Sequence, residues 1–297
     1  MLYLDELGKT YKGEIRLSEP LAPYTSLKLG GPADVFLIPK TKEDIAEAVK
    51  WIRKYHIPHY YLGYGTNILV GDAGFQGVVV RIADSLNSIT IQGTKVYAEA
   101  GASLPMLVLE TLKAGLAGIE ALGGVPGTVG GALLMNAGAY GSEIFDVVEK
   151  VEVIRGSKLV VLGKEDIHHE YRKTNLDQDF IISCTLALKK GDKEALLEKR
   201  REWLKKRRDT QPLDVPNAGS IFKNPPGMYA GALIESCGLK GYRIGGVSVS
   251  AKHANFLVND QNGTAAEMLA LIDYVKAKVF EKHGVKLEME VRKVGIE

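Results

Sequence analysis

Cysteine is nearly absent: Cys184 and Cys237 are the only two in 297 residues. They stand far apart and form no CxxC pair. That excludes a disulfide framework and a zinc knuckle and leaves two buried, reduced thiols as the expectation. Long apolar runs are missing too, since none approaches the roughly 18 residues that a membrane span takes. The opening MLYLDELGKT is acidic and lacks the positively charged start of a secretory signal, so a soluble cytoplasmic protein is expected. Charge of one sign is also lacking. The 38 basic and 36 acidic residues leave a formal +2, too little to imply a nucleic-acid partner. The one local exception is the run Lys199, Arg200, Arg201, Lys205, Lys206, Arg207, Arg208, read as a solvated helix face in preference to a phosphate contact.

Several signatures of catalysis fail for want of one residue. GxGxxG fails at Gly63-Tyr-Gly65 because Ile68 sits where the third glycine belongs, and no GxxxxGK[ST] occurs. HExxH fails at His169-Glu170 because Lys173 occupies the place of the second histidine. Ser220 lies in AGS with no GxSxG elbow around it. A Rossmann dehydrogenase, a P-loop enzyme, a zinc protease and a serine hydrolase are all disfavoured, and no metal is expected.

What is present reads as alternating strands and helices. Asp34 to Ile38 is expected as a strand, followed by a helix to about Tyr55 opened by a Thr41/Asp44 capping box, then a strand from Ile57 to Leu62. That is a βαβ beginning. Gly77 to Ile82 forms the next strand, and a hairpin joins Ser88–Ile91 to Lys95–Ala100. A helix over Ser103–Ala114 carries Pro105 in its first turn. Further on come a hairpin turning about Arg155-Gly156-Ser157, an apolar strand Phe180–Leu188 and a charged helix Lys193–Arg208 that stops before Gln211-Pro212. A domain boundary is placed there. Helices around Ala230–Ser236 and Thr264–Lys282, strands within Gly245–Val258 and a final strand Lys286–Val294 complete an α+β unit.

The chain is organised around Gly123 to Gly141, GGVPGTVGGALLMNAGAYG, where seven of nineteen residues are glycine. A flexible linker would be polar, whereas Val125, Val129, Leu133, Leu134 and Met135 call for burial. Glycine lets a backbone approach a ligand closely, and successive exposed N–H groups at a turn or helix start make an anion-binding concavity. A buried cradle for a phosphate-bearing ligand is expected, although packed tight turns would use glycine in the same way.

Other groups carry candidate chemistry. Gly63 to Asn67 closes a strand with small residues and side-chain donors. Arg172 lies in Tyr171-Arg-Lys-Thr174, where a surface guanidinium would look no different. Ser220 begins a polar loop with Lys223 and Asn224. Glu288 and Glu290 alternate with apolar residues, so both would share one face of a strand, whether a site or a solvent-facing stripe.

Together the segments TSLKLGGPAD, LGYGTNILV, GGVPGTVGGALLMNAGAYG, YRKT, AGSIFKNP, KHANFLVN and LEMEVRKVG resemble, in order and from about Thr25 to Gly295, the UDP-N-acetylenolpyruvoylglucosamine reductase family, flavin-dependent reductases of peptidoglycan synthesis. The resemblance implies an α+β architecture. A vanillyl-alcohol-oxidase/PCMH-type FAD-binding domain of two α/β subdomains (1–75 and 76–208) would be joined to a C-terminal α+β substrate-binding domain (209–297), with the final strand 286–297 returning to the first subdomain.

By the same resemblance, Gly63, Gly65, Thr66, Asn67, Gly127, Thr128, Gly130 and Gly131 would hold non-covalent FAD. Arg172, Ser220 and Glu290 would be catalytic, and Lys223, Asn224, His253 and Asn255 would lie near the substrate. The family reaction passes hydride from NADPH through FAD to the vinyl carbon of UDP-N-acetylglucosamine enolpyruvate. Ser220 would supply the proton, giving UDP-N-acetylmuramate for cell wall biogenesis. This chain departs from the family pattern in Thr66 for serine, Ile221 for an aromatic and Met289 for proline, and it lacks the tyrosine-bearing insertion of longer members. Two other readings are a sugar or hydroxy-acid oxidase on the same flavin fold and a non-catalytic nucleotide-sugar-binding protein. The first often tethers flavin through histidine, which neither glycine loop contains. The second would be expected to lose Arg172, Ser220 or Glu290.

Overall fold

The computed structural model describes residues 4–83, 85–156 and 158–296. Its main elements begin with β1 (Glu14–Pro20), β2 (Pro32–Ile38), α1 (Lys42–Lys54), β3 (His59–Leu62), β4 (Ile68–Val70) and β5 (Phe75–Arg81). Next come β6 (Ile89–Gln92), β7 (Lys95–Glu99), α2 (Leu104–Lys113), α3 (Val129–Leu134), β8 (Val148–Arg155) and β9 (Lys158–Gly163). They are followed by β10 (His169–Glu170), β11 (Lys173–Thr174), β12 (Phe180–Ala187) and α4 (Lys193–Thr210). The last are β13 (Asn217–Ser220), α5 (Ala230–Ser236), β14 (Arg243–Ile244), β15 (Val247–Val249), β16 (Phe256–Asn259), α6 (Ala265–His283) and β17 (Arg292–Val294).

The chain folds as two compact units that interleave along the sequence. The first gathers the chain up to Leu17 with Val35–Tyr64 and Gly77–Lys205. The second gathers Ser18–Asp34, Gly65–Gln76 and the chain from Lys206 onward.

In the first unit, α1 starts where its sequence says it should. Thr41 Oγ1 accepts from the Asp44 N–H and Asp44 Oδ2 accepts from the Thr41 N–H, satisfying two donors at the helix start. Ile45, Ala48, Val49 and Ile52 are then buried in one core with Val35, Leu37, Val78 and Val80 of a four-stranded sheet, order β1-β2-β5-β3. The strand expected from Ile57 begins two residues later. Proline has no N–H to donate to a ladder, and the Ile57 N–H closes the helix end by donating to Ile52. A five-stranded antiparallel sheet, order β9-β8-β12-β7-β6, shares that core with α2 and α3 through Val96, Ala98, Val151, Ile182, Leu107, Val129 and Leu133. The β8–β9 hairpin is present, with Ser157 of its expected turn outside the described residues.

The second unit is built on the antiparallel sheet β13-β16-β15-β14, covered by α5 and α6. Met268, Leu271, Ile272 and Val275 of α6 bury against Val247, Val249 and Leu257 of the sheet. A Thr264/Glu267 capping box opens α6. The Asp72 carboxylate also accepts from the Ala265 and Ala266 N–H groups at 2.8 and 2.9 Å, so the first turn of α6 is anchored to the loop after β4.

Two expectations need correction here. The final strand is shorter than Lys286–Val294: only Arg292–Val294 is regular, pairing parallel with Ile68–Val70. Residues 287–291 turn instead to Ile221–Lys223, where the Lys223 N–H donates to the Glu288 carbonyl and the Glu290 N–H to the Ile221 carbonyl. The cysteines also differ: Cys184 is buried but Cys237 is only half-buried. No helix among the described residues is long and apolar enough to cross a membrane.

Candidate functional site

The Gly-rich stretch serves two different tasks, one at each end. At its start, Gly127 adopts φ +143°, a conformation that glycine alone takes readily. Thr128 then caps α3, its Oγ1 accepting from the Gly131 N–H at 3.3 Å. The concavity read from sequence is smaller than expected. Within the first turn of α3, the Val129 N–H donates to the Ala102 carbonyl and the Gly130 N–H to the Ala100 carbonyl, while Gly131 is taken by Thr128. Gly130 is glycine for packing, because a Cβ there would lie 3.0 Å from the Ala100 Cβ. The amides left without an acceptor among the described residues are those of Gly127 and Thr128.

Against this turn lies Gly63, at the end of β3. A Cβ on Gly63 would stand 2.5 Å from Thr128 Oγ1, so the two glycine loops of the first unit meet at that point. Two open amides at a glycine turn, with the Gly63 backbone packed directly against it, suit the close approach of a diphosphate. The residues present therefore fit FAD.

Gly65, Thr66 and Asn67 continue into the second unit. Gly65 has φ +62°, and a Cβ there would fall 2.2 Å from the Tyr24 carbonyl oxygen. Its own carbonyl accepts from the Ser26 N–H at 3.0 Å. The Asn67 Nδ2 donates to the Glu290 carbonyl at 3.2 Å, and the Arg292 N–H donates to the Asn67 carbonyl at 3.1 Å. A residue expected to serve flavin is thus tied to one expected to serve catalysis.

At its other end the stretch meets Arg172. This residue stands in the turn of the β10–β11 hairpin with φ +57°, unusual for a residue with a side chain. Its Nη2 donates to the Gly138 carbonyl at 2.8 Å, and its Nη1 to the Asn136 carbonyl at 3.5 Å. Glu143 Oε1 lies 3.8 Å from Nη1, and the Tyr171 ring flanks the guanidinium at 4.7 Å. Sequence reasoning missed Asn136, Gly138 and Glu143, having read the whole stretch as one phosphate cradle. The missed signal was an asparagine and a tyrosine, Asn136 and Tyr140, both at positive φ beside the last glycines. His169 is structural here: its Nδ1 lies 3.0 Å from the Ile167 carbonyl and its ring stacks on Phe145.

In the second unit, Ser220 ends β13, next to Gly219 at φ +74°. Among the described residues its hydroxyl has no hydrogen-bond partner. The three residues that follow are held from both sides. The Ile221 N–H donates to the Asn255 carbonyl at 2.8 Å, and the Ile221 carbonyl accepts from the Glu290 N–H at 2.8 Å. Ser220 and Glu290 are thereby brought onto adjacent backbone, while Arg172 belongs to the first unit.

The residues expected near the substrate divide. Lys223 Nζ pairs with Glu288 Oε1 at 2.5 Å, on an exposed surface. Asn224 caps α5, its Oδ1 accepting from the Ala230 N–H at 3.0 Å. Asn255 is buried and both ends of its amide bond the Phe222 backbone, so it supports the loop and presents no polar atom to a ligand. His253 packs edge-on to Phe256, and burial holds its imidazole below the usual histidine range.

Two family models match the chain. One is described as an FAD binding domain and covers residues 33–161; the other is the C-terminal domain of UDP-N-acetylenolpyruvoylglucosamine reductase and covers 211–294. The UDP-N-acetylenolpyruvoylglucosamine reductase of Chloroherpeton thalassium is 44% identical over 99% of this chain and 98% of its own length. That of Caldanaerobacter subterraneus is 44% identical over 99% and 98%. A solved structure of the enzyme from Thermus caldophilus superposes with a TM-score of 0.82 at 35% identity, covering 95% of this chain and 99% of that one.

Proposed function

The chain belongs to the UDP-N-acetylenolpyruvoylglucosamine reductase family, and from that premise we propose how its residues divide the work. The protein is an FAD-containing oxidoreductase that reduces the enolpyruvyl group of a UDP-sugar in peptidoglycan precursor synthesis, on a flavin domain of the vanillyl-alcohol-oxidase type joined to an α+β domain. Bound FAD supplies the hydride relay, with NADPH as donor and the terminal vinyl carbon as acceptor.

Residues 1–75 and 76–208 carry the flavin in this reading, and 209–297 carry the substrate. The turn of Gly127 and Thr128 receives the diphosphate of FAD with two amides, and Gly63 lets its own loop close against that turn. Gly65, Thr66 and Asn67, which follow Gly63 in the sequence, also serve the flavin, while Gly130 and Gly131 shape the Gly127 turn from behind. The reaction takes place in the cytoplasm.

Addition of hydride at the terminal carbon leaves negative charge on the adjacent carbon and its carboxylate, as an enolate-like species. Arg172 stabilises that charge electrostatically. Glu290 orients the same carboxyl group, as a protonated or cation-paired partner, since two bare carboxylates repel. The Ser220 hydroxyl delivers the proton to the adjacent carbon, giving UDP-N-acetylmuramate. Lys223 and Asn224 lie three and four residues beyond Ser220 and flank the same substrate.

One observation carries the assignment of Ser220: a hydroxyl with no partner among the described residues, on backbone clamped between Asn255 and Glu290. A serine is a weak acid, so its value lies in placement, and positioned proton transfer contributes about 10²–10⁴ in rate. In Ser220→Ala, NADPH still bleaches the flavin while reoxidation by the enolpyruvyl sugar slows by about that factor. Normal turnover in this variant would remove Ser220 from its role.

A further inference from the structure

The far end of the Gly-rich stretch is built as a seat for one guanidinium. Asn136 is fully buried at φ +41°, and its Nδ2 donates to Glu143 Oε2 at 2.6 Å and to the Glu170 carbonyl at 3.2 Å. Its Oδ1 accepts from the Phe145 N–H at 3.4 Å. That amide therefore links the stretch, the Glu143 carboxylate and the hairpin that carries Arg172.

The second Glu143 oxygen lies 3.8 Å from Arg172 Nη1. Gly138 completes the arrangement. A Cβ on it would stand 3.0 Å from Arg172 Nη1, 2.9 Å from the Glu143 Cγ and 2.8 Å from the Ser142 carbonyl oxygen. Glycine is required there because the guanidinium and the glutamate both press on that point, and φ at Gly138 is not in the left-handed region. The Arg172 side chain is mostly enclosed, at 16% exposure. Screening at such a site is weaker than on an open surface.

We propose that Glu143, held by Asn136, is a positioning residue for the enolpyruvyl half-reaction. It fixes the orientation of the Arg172 guanidinium so that it faces the carbon where negative charge develops. The inference rests on the assignment of Arg172 to the substrate's carboxylate. Glu143 touches no reacting atom in this scheme; it acts through Arg172 alone. A shift of about 1 Å in a catalytic group costs up to about 10² in rate, so loss of the carboxylate is expected to slow the step by about 10- to 100-fold.

The test is a double-mutant cycle on the FAD-loaded protein, reduced anaerobically and mixed with UDP-N-acetylglucosamine enolpyruvate in a stopped-flow spectrometer. Four proteins are compared: wild type, Glu143→Gln, Arg172→Ala and the double variant, with FAD content and Tm checking the fold of each. The glutamine side chain keeps an acceptor for Asn136 and replaces the carboxylate oxygen near Arg172 with an uncharged NH2 group. The expected result is slow flavin reoxidation in Glu143→Gln and no further slowing when that change is added to Arg172→Ala. If Glu143→Gln fails to hold FAD, Glu143→Asp takes its place in the same cycle.

Equal slowing in both backgrounds would overturn the inference, because Glu143 would then act independently of Arg172. Normal reoxidation in Glu143→Gln with slow reoxidation in Arg172→Ala would overturn it while sparing the assignment of Arg172. Normal reoxidation in Arg172→Ala would overturn both.

Discussion

Asn255 holds Phe222 by both of its backbone groups: its Oδ1 accepts from the Phe222 N–H at 3.0 Å and its Nδ2 donates to the Phe222 carbonyl at 2.8 Å. The side chain thus imitates one rung of a β-ladder where β16 has none to offer. Both Phe222 and Asn255 are buried, so removing the amide leaves a donor and an acceptor without water. Asn255→Ala is expected to destabilise the fold by about 2–6 kcal/mol, from two unsatisfied groups at about 1–3 kcal/mol each. Chemical denaturation checks it, and a loss below about 1 kcal/mol would show that the loop finds other partners.

Gly63 gives a sharper test of the flavin wall. A methyl at that position would meet Thr128 Oγ1 at 2.5 Å, closer than real Cβ contacts allow, and would push the two loops apart. Gly63→Ala should raise the Kd for FAD by about tenfold or more, which is about 1.4 kcal/mol. Gly8→Ala is the control, since a Cβ there meets nothing within 4 Å. Fluorescence titration of the apoprotein measures both, and equal affinities would move the diphosphate away from Gly63.

The two thiols should behave differently. Burial, with some help from the Glu152 charge, pushes the Cys184 thiol up to about 12, so it stays protonated and unreactive at neutral pH. Cys237 is half-buried, with its Sγ 3.6 Å from the Lys278 carbonyl. A thiol reagent at mildly alkaline pH should modify Cys237 first in native protein and both cysteines only after unfolding. Rapid native modification of Cys184, followed by mass spectrometry, would contradict this.

Much of the fold was legible because local signals agreed with one another. The capping box at Thr41 names the start of α1 residue by residue, and the helix expected from Thr264 begins at Ala265 with Thr264 as its cap. Apolar runs such as Phe180–Ala187 mark strands covered on both sides. The true start of the final strand was not legible, since Leu287–Val291 alternates as a strand does, yet its partners are the three residues after Ser220, more than sixty positions away in sequence. Periodicity reports a face, and only tertiary contact supplies the neighbour.

The candidate site shows the same division. Glycine density pointed to the stretch that holds Gly127 and Thr128, but could not tell an open amide from one that a neighbouring turn already takes, as Ala100 takes Gly130. The role of Gly138 was hidden for a related reason. It is fixed by the side chain of Arg172, brought from another hairpin.

The central claim is a protein-bound flavin that carries electrons from a nicotinamide to the enolpyruvyl sugar, and the visible spectrum of the purified protein under anaerobic conditions tests it most directly. Flavin bands should bleach on addition of NADPH and return on addition of UDP-N-acetylglucosamine enolpyruvate. Bleaching without return would contradict the assigned acceptor, and the absence of flavin even after reconstitution with FAD would contradict the account as a whole.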